Sequence, residues 1–192
     1  MTGEPPFSPS HFRSCAISGV TVVQRTRFED SRGFLSRLYA ADGFRAAGFE
    51  KPLVQINHTL TRRAGTVRGM HFQRPPQAET KVVTCIRGEI FDVAVDLRCG
   101  SPTFLQWHGV VLSEHNLQSL LIPEGCAHGF QALSENCELI YLHTAPYEPS
   151  SEGVVNALDP RLGIKWPLEI AERSDRDSGP PMLTADFEGI ML

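Results

Sequence analysis

The sequence predicts an all-β protein, a sandwich or barrel of short strands, and three observations predict it. Short β-branched and apolar runs recur along most of the 192 residues and are separated by turn-forming clusters. Gly and Pro occupy 16 and 14 positions, enough for many turns yet short of low-complexity content. The chain is 41% hydrophobic, which suffices for a real core, and its turn-rich spacing argues against an all-helical bundle.

Taken in order, residues 1 to about 14 read as a polar, Pro-containing lead. Residues 17–27 contain the strand-forming run Gly19-Val-Thr-Val-Val23, and residues 28–33 form a turn before a second short strand at 34–39. Residues 40–47 are the best short-helix segment. Strands then follow at 52–61, 65–73, 81–86, 89–97, 104–112, 119–122, 129–133 and 138–145. In the tail, residues 151–192, Asp159-Pro160 and Trp166-Pro167 punctuate turns, and residues 168–173 read as a helix. With no repeat or linker in sight, residues 1–192 are expected to form one domain.

Alternation along the strands assigns faces, because neighbouring side chains point oppositely. Tyr141 and His143 share a face with Leu139; Gln55, Asn57 and Thr59 oppose Ile56 and His58. Asp92, Ala94 and Asp96 oppose a continuous apolar face of Phe91, Val93, Val95 and Leu97. This pattern fits either a polar cavity between sheets or a half-solvated sheet with a polar outer face.

The net charge of −4 argues against non-specific nucleic-acid binding. Of the 18 basic residues only Lys51, Lys81 and Lys165 are lysines, so the chain relies on arginine, whose planar fork suits phosphate and carboxylate. Five cysteines, odd in number and without C-x-x-C spacing, suit reduced thiols better than a disulfide framework. The first residues lack a basic start followed by an apolar stretch, and no apolar run approaches the roughly 18 residues of a membrane span. A cytoplasmic protein with no membrane partner is the expectation.

Gly65-x5-His71-x-Gln73 and Pro123-x-Gly125-x2-His128 resemble the two signature stretches of the cupin jelly roll, a double-sheet barrel with few short helices. Metal-binding cupins carry His-x-His in the first stretch, and here Gln73 replaces the second histidine. That leaves only Glu79 and His128 beside His71, too few matched ligands for a stable divalent site. No metal and no cofactor is expected.

A more specific resemblance rests on many runs in order. They include Phe28-Glu-Asp-Ser-Arg-Gly-Phe34, Gln55-Ile-Asn57, Val67-Arg-Gly-Met-His-Phe-Gln73, Lys81-Val-Val, Gly88 to Arg98, Ser101-Pro-Thr-Phe104, Ile122 to Phe130 and Tyr141-x5-Tyr147. Together they resemble the dTDP-4-dehydrorhamnose 3,5-epimerase family from about residue 17 to 182. The resemblance implies an isomerase that epimerises a dTDP-linked 4-keto-6-deoxyhexose, dTDP-4-dehydro-6-deoxy-D-glucose, through an enolate in dTDP-rhamnose-type deoxysugar biosynthesis. It also implies a homodimer in which an N-terminal strand extends the partner's sheet and carries Arg32 toward the partner's pocket. An open sheet edge gives such pairing a physical motive.

By the same resemblance His71 is the base that removes the sugar proton, Tyr141 the acid on the opposite face, and Asp177 the carboxylate that orients His71. Lys81 matches the lysine placed near the developing enolate oxygen. Arg68 matches a substrate-binding arginine; three residues from His71, it enters the same site only through a local irregularity, which Gly69 can provide as a bulge. Arg32 resembles the diphosphate-binding arginine, Gln55 and Asn57 the polar pair on the nucleotide sugar, and Tyr147 the ring that stacks on thymine. His128 and Asp92 match polar positions lining the pocket, and Glu152 and Arg176 further ligand-binding positions. Phe28 either packs in the core or flanks the ligand.

The chain departs from the family where Arg37 replaces a substrate-contacting Glu, where Arg176 replaces a lysine, and where Pro146 stands for a second aromatic. The departures fall on recognition of the nucleotide or sugar rather than on the chemistry. Four alternatives remain open from sequence: epimerisation at C3 alone, another nucleotide sugar, a non-catalytic sugar-binding cupin, and a metal-dependent cupin oxygenase.

Overall fold

The computed structural model describes residues 11–192. Its strands are β1 (His11–Ser14), β2 (Thr21–Gln24), β3 (Arg27–Asp30) and β4 (Gly33–Ser36), then a short helix α1 (Ala41–Ala46). There follow β5 (Gln55–Thr61), β6 (Val67–Gln73), β7 (Lys81–Arg87), β8 (Glu89–Asp96), β9 (Trp107–Ser113), β10 (Gln118–Ile122), β11 (Cys126–Ala132) and β12 (Cys137–His143). The tail adds β13 (Glu152–Val154) and one helical turn, α2 (Asp175–Ser178).

These strands form a six-stranded sheet, β1-β2-β10-β7-β12-β5, and a five-stranded sheet, β13-β6-β11-β8-β9, with β3-β4 as a separate hairpin. All strand pairings between them are antiparallel. Between the sheets lies a core of Val22, Val83, Cys85, Leu120 and Leu139 from one side and Ile90, Ala94, Leu112 and Phe130 from the other. This is a double-sheet jelly-roll barrel, the fold the cupin-like stretches predict.

Both sheets are also covered outside. Phe44 of α1 and Phe49 pack on Val23, Val82, Leu121 and Leu142 of the six-stranded sheet. The tail lays Val155, Ala157, Leu162, Trp166 and Phe187 over Val67, Phe72, Val93, Val95 and Ala127. The apolar face of β8 is therefore the outer one, under the tail, while Asp92 and Ala94 point between the sheets. Burial on both faces removes the half-solvated alternative for this strand.

The structure differs from the sequence expectations at four places. The end of the polar lead pairs as β1, with His11 opposite Gln24; residues 1–10 of the lead lie outside the described residues. Residues 28–30 belong to a strand, so the turn shrinks to Ser31–Arg32 within a β-hairpin. A short strand, β13, starts the tail by pairing Glu152 with Gln73. The helix expected over 168–173 is absent: the Gln131 amide donates to the Leu168 carbonyl at 2.9 Å and accepts from its N–H at 2.9 Å, and Glu172 bridges Thr66. Six residues after a proline gain too few internal hydrogen bonds to compete with such partners. The helical turn forms just beyond, where Ser174 caps α2 by accepting from the Asp177 N–H.

All five cysteines are unpaired; Cys85, Cys126 and Cys137 are buried, while Cys15 is half-buried and Cys99 exposed. Among the described residues no helix is long and apolar enough to cross a membrane.

Candidate active site

At one end of the barrel the sheets part around a cavity of about 340 Å³. Its wall comes from β5, β6, β7, β11 and β12, from the loop after β12, and from β13 and α2 of the tail, through Asn57, Arg68, His71, Lys81, His128, Tyr141, Tyr147, Glu152 and Arg176. Inward-facing positions that would complete the core in a closed barrel thus carry polar groups.

β6 supplies two of these residues by breaking its own alternation. The ladder between β6 and β11 pairs His71 with His128 and then Arg68 with Phe130, so its register slips between them. Gly69 sits at the slip with φ +127, and a Cβ there would meet Gly129 Cα at 2.4 Å and the His128 carbonyl at 2.8 Å. Only glycine permits this close approach and this dihedral. The irregularity brings Arg68 and His71 into one cavity, as expected.

The tail completes the site. Asp177 Oδ1 lies 2.6 Å from His71 Nε2, and its second oxygen accepts from the Gly69 N–H at 3.3 Å. Burial alone would raise the Asp177 carboxyl, but His71, Gly69 and Ser174 outweigh it and hold the group below its usual range. The ionised carboxylate keeps the proton of His71 on Nε2, which leaves Nδ1 as the nitrogen able to take another.

Tyr141 stands between two imidazoles. Its ring meets His128 edge-on at 5.9 Å and stacks on His143 at 6.0 Å. Burial, reinforced by the Asp92 carboxylate and opposed by Arg68, pushes the phenol well above its ordinary range, so it stays a proton donor at neutral pH. His128 Nε2 is bonded at 2.7 Å to Asp92, which is fully buried behind it and does not reach the cavity.

Lys81 is anchored by Glu79, with Nζ 2.7 Å from Oε1, and the other Glu79 oxygen takes a hydrogen bond from His143 Nδ1 at 2.7 Å. Burial opposes the charge on Glu79, yet Lys81 and His143 bring its carboxyl down to about 2. Gln55 is half-buried beside the cavity rather than lining it, accepting from the Tyr147 N–H at 3.0 Å and donating to Asn57 at 3.1 Å. Tyr147 donates its hydroxyl to Glu152, which also pairs with Arg176.

Two further expected residues lie away from the cavity altogether. Arg32 lies at the exposed tip of the β3-β4 hairpin, bonded to Asp30 at 2.6 Å, and with Phe28, Phe34 and Leu35 it borders a separate groove. Neither Arg32 nor Phe28 reaches this chain's own cavity, because the hairpin projects from the barrel. Conversely, Thr59, Glu79, Phe130 and His143 line the cavity although the family resemblance gives none of them a role. Thr59 and His143 were legible as face-mates of Asn57 and Tyr141, whereas Glu79 precedes β7, where strand alternation assigns no face. No group of three or more His, Cys, Asp or Glu side chains among the described residues is arranged to hold a metal ion.

A jelly-roll barrel with a polar, histidine-bearing cavity at its mouth places the chain among the cupin-type proteins. The sequence profile of the dTDP-4-dehydrorhamnose 3,5-epimerase family matches residues 14–185, and the chain belongs to that family. It is 45% identical over 170 residues to the dTDP-4-dehydrorhamnose 3,5-epimerase of Salmonella typhimurium, covering 88% of this chain and 92% of that one. It is 40% identical over 172 residues to the dTDP-4-dehydrorhamnose 3-epimerase of Streptomyces niveus, covering 89% and 83%. Among solved structures, the dTDP-6-deoxy-D-glucose-3,5-epimerase of Legionella pneumophila in complex with dTDP-4-keto-L-rhamnose superposes with a TM-score of 0.87 at 35% identity, covering 94% and 98%.

Proposed function

We propose that the chain is a nucleotide-sugar epimerase that inverts C3 and C5 of dTDP-4-dehydro-6-deoxy-D-glucose in deoxysugar biosynthesis of the dTDP-rhamnose type. The observation that carries this reading is the convergence of the His71–Asp177 pair, Tyr141 and Lys81 on one cavity. The C–H bonds flanking a 4-keto group are acidic because the carbanion delocalises onto the C4 oxygen. His71 Nδ1 takes the proton, Asp177 stabilises the resulting imidazolium, and the Lys81 ammonium faces the enolate oxygen. Tyr141 then returns a proton from the other face, and the configuration inverts. No step calls on a metal or cofactor.

At the nucleotide end, Tyr147 stacks on the base, Gln55, Asn57 and Arg68 bind the sugars, and Glu152 and Arg176 close the rim. His128, held by Asp92, contacts the hexose. Arg32 serves the diphosphate of the partner's site in a strand-exchanged homodimer, which fits its projection away from its own cavity. Five unpaired cysteines support a cytoplasmic location. A second reading, inversion at C3 alone, rests on the 40% identity to the Streptomyces niveus 3-epimerase.

The test is incubation with dTDP-4-dehydro-6-deoxy-D-glucose in heavy water, followed by NMR at C3 and C5, with His71→Asn as control. Deuterium at both carbons in the wild type and neither in the variant is the expected result. Label at C3 alone selects the narrower enzyme, and absence of exchange with binding intact overturns the reading in favour of a sugar-binding cupin.

A further inference from the structure

A continuous chain of hydrogen bonds runs along the cavity wall, and its direction can be read from one fixed point. The backbone N–H of Tyr147 can only donate, and it faces Gln55 Oε1 at 3.0 Å. The Gln55 amide nitrogen must then point the other way, to Asn57 Oδ1 at 3.1 Å. This turns the Asn57 amide nitrogen toward His143 Nε2 at 3.3 Å, so that nitrogen accepts. The proton of His143 is therefore on Nδ1, from which it is donated to Glu79 Oε2 at 2.7 Å, leaving Oε1 for Lys81 at 2.7 Å. Every donor in the series meets an acceptor.

The anchor at its end is buried. The side chains of Lys81, Glu79 and His143 are 6%, 9% and 10% exposed, and His143 also stacks on Tyr141. One carboxylate thus holds both the ammonium and the ring that backs the phenol.

Resting on the epimerase reading above, we propose that Glu79 and His143 are positioning residues: they fix Lys81 and the Tyr141 ring and tie them, through Asn57 and Gln55, to the loop that carries Tyr147. Neither residue reacts. Glu79 is suited to the task because a carboxylate can accept from two donors at once, whereas an amide at the same place offers one accepting oxygen and turns a second donor on Lys81 or His143. The tie to Tyr147 makes the placement of Lys81 depend on how the nucleotide end is seated, which is how binding energy from a non-reacting part of a substrate comes to act on turnover rather than on affinity.

Two measurements test it. With only three lysines in the chain, acylation of Lys81 by acetic anhydride can be followed by peptide mass spectrometry without substrate. Glu79→Gln and His143→Leu should each speed acylation at least fivefold, and His143→Asn, which keeps a donor for Glu79, should restore most of the protection. Gln55→Leu combined with His143→Leu should be no faster than the quicker single variant, because both break one series. Equal labelling in Glu79→Gln and wild type overturns the anchor, and multiplicative effects overturn the link to Tyr147. In the exchange assay Glu79→Gln should lower kcat about tenfold or more with KM within about threefold. A matched loss in KM with kcat unchanged also overturns the positioning role. Wild-type inactivity toward the dTDP sugar sinks the epimerase reading and with it that role, while the labelling still decides whether Glu79 holds Lys81.

Discussion

His71 and His128 stand directly opposite one another on β6 and β11, yet each imidazole is bonded to a different carboxylate. His71 uses Asp177, delivered by the tail, and keeps 30% of its side chain exposed. His128 uses Asp92 from the neighbouring strand β8 and is 7% exposed. The two pairs look alike in sequence terms and differ in access. The pair completed by the tail leaves its imidazole partly open to the cavity, whereas the imidazole of the other is almost covered within the wall.

Replacing Asp177 with Asn is expected to cut turnover by roughly 10²–10⁴-fold with little change in substrate affinity, since an amide cannot stabilise the imidazolium form of His71. Initial rates of deuterium incorporation compared with calorimetric affinity for dTDP would measure both. Turnover within tenfold of wild type would remove Asp177 from the proposed mechanism.

Tyr141→Phe should separate proton removal from inversion. The phenol is protonated at neutral pH and burial moves it further from ionisation, so its expected role is to deliver a proton to the face away from His71. Without it, His71 can still remove and return a proton on its own face, giving solvent exchange with retained configuration. The variant is expected to incorporate deuterium while forming epimer at least about a hundredfold more slowly. NMR coupling constants distinguish the two products, and unimpaired inversion would reassign the acid.

At Gly69 an alanine has nowhere to go. Its Cβ would lie 2.4 Å from Gly129 Cα, backbone that cannot move aside, and φ +127 disfavours any side chain. Gly69→Ala should lower stability by about 2 kcal/mol or more and, by straightening β6, separate Arg68 from His71. Urea unfolding and the exchange assay report the two effects. A variant as stable and active as wild type would show that the slip in register does not hold these side chains together.

The eight strands expected between residues 52 and 145 were legible because β-branched runs alternate with turn residues; each has a counterpart, shifted at most by a few residues. Arg68 and His71 were legible as a conflict: three residues apart, with a glycine between them that could resolve it. The tail was less readable. Leu168 to Glu172 is shaped by bonds to Gln131 and Thr66, which lie far away in sequence, and local propensity carries no trace of such partners. Glu79 and His143 were visible only separately, one as an insufficient metal ligand and the other as a face-mate of Tyr141, since their pairing is a bond between β12 and the residues leading into β7. Arg32 shows the opposite limit, for the resemblance marks it as a ligand residue while its own fold sends it outward.

Gln131 offers a test of how the tail reaches the site. Fully buried in β11, it holds Leu168 by two hydrogen bonds of 2.9 Å, nine residues before Asp177. Gln131→Ala should leave the barrel folded but loosen the tail, so that limited proteolysis after residue 160 quickens and turnover falls about tenfold or more through Asp177. Unchanged proteolysis and activity would place the tail's anchorage in its apolar contacts alone.

The Glu79 carboxyl makes stability depend on acid in a way that can be isolated. Its value falls from 4.5 to about 2 on folding because Lys81 and His143 outweigh the opposing effect of burial. A depressed carboxyl contributes stability that is present above its unfolded value and lost as pH falls through the folded one. The window is thus pH 4.5 down to about 2, and the contribution above it is on the order of 3 kcal/mol. Asp96, also held near 2 by Arg98, Ser101 and Thr103 against its own burial, follows the same course and contributes equally to wild type and variant. Glu79→Gln should therefore be less stable than wild type at pH 7, with the gap closing as pH approaches 2. Urea midpoints at pH 7, 4 and 2.5 would trace the gap, and a difference that stays constant with pH would show that Glu79 acts by shape and not by charge.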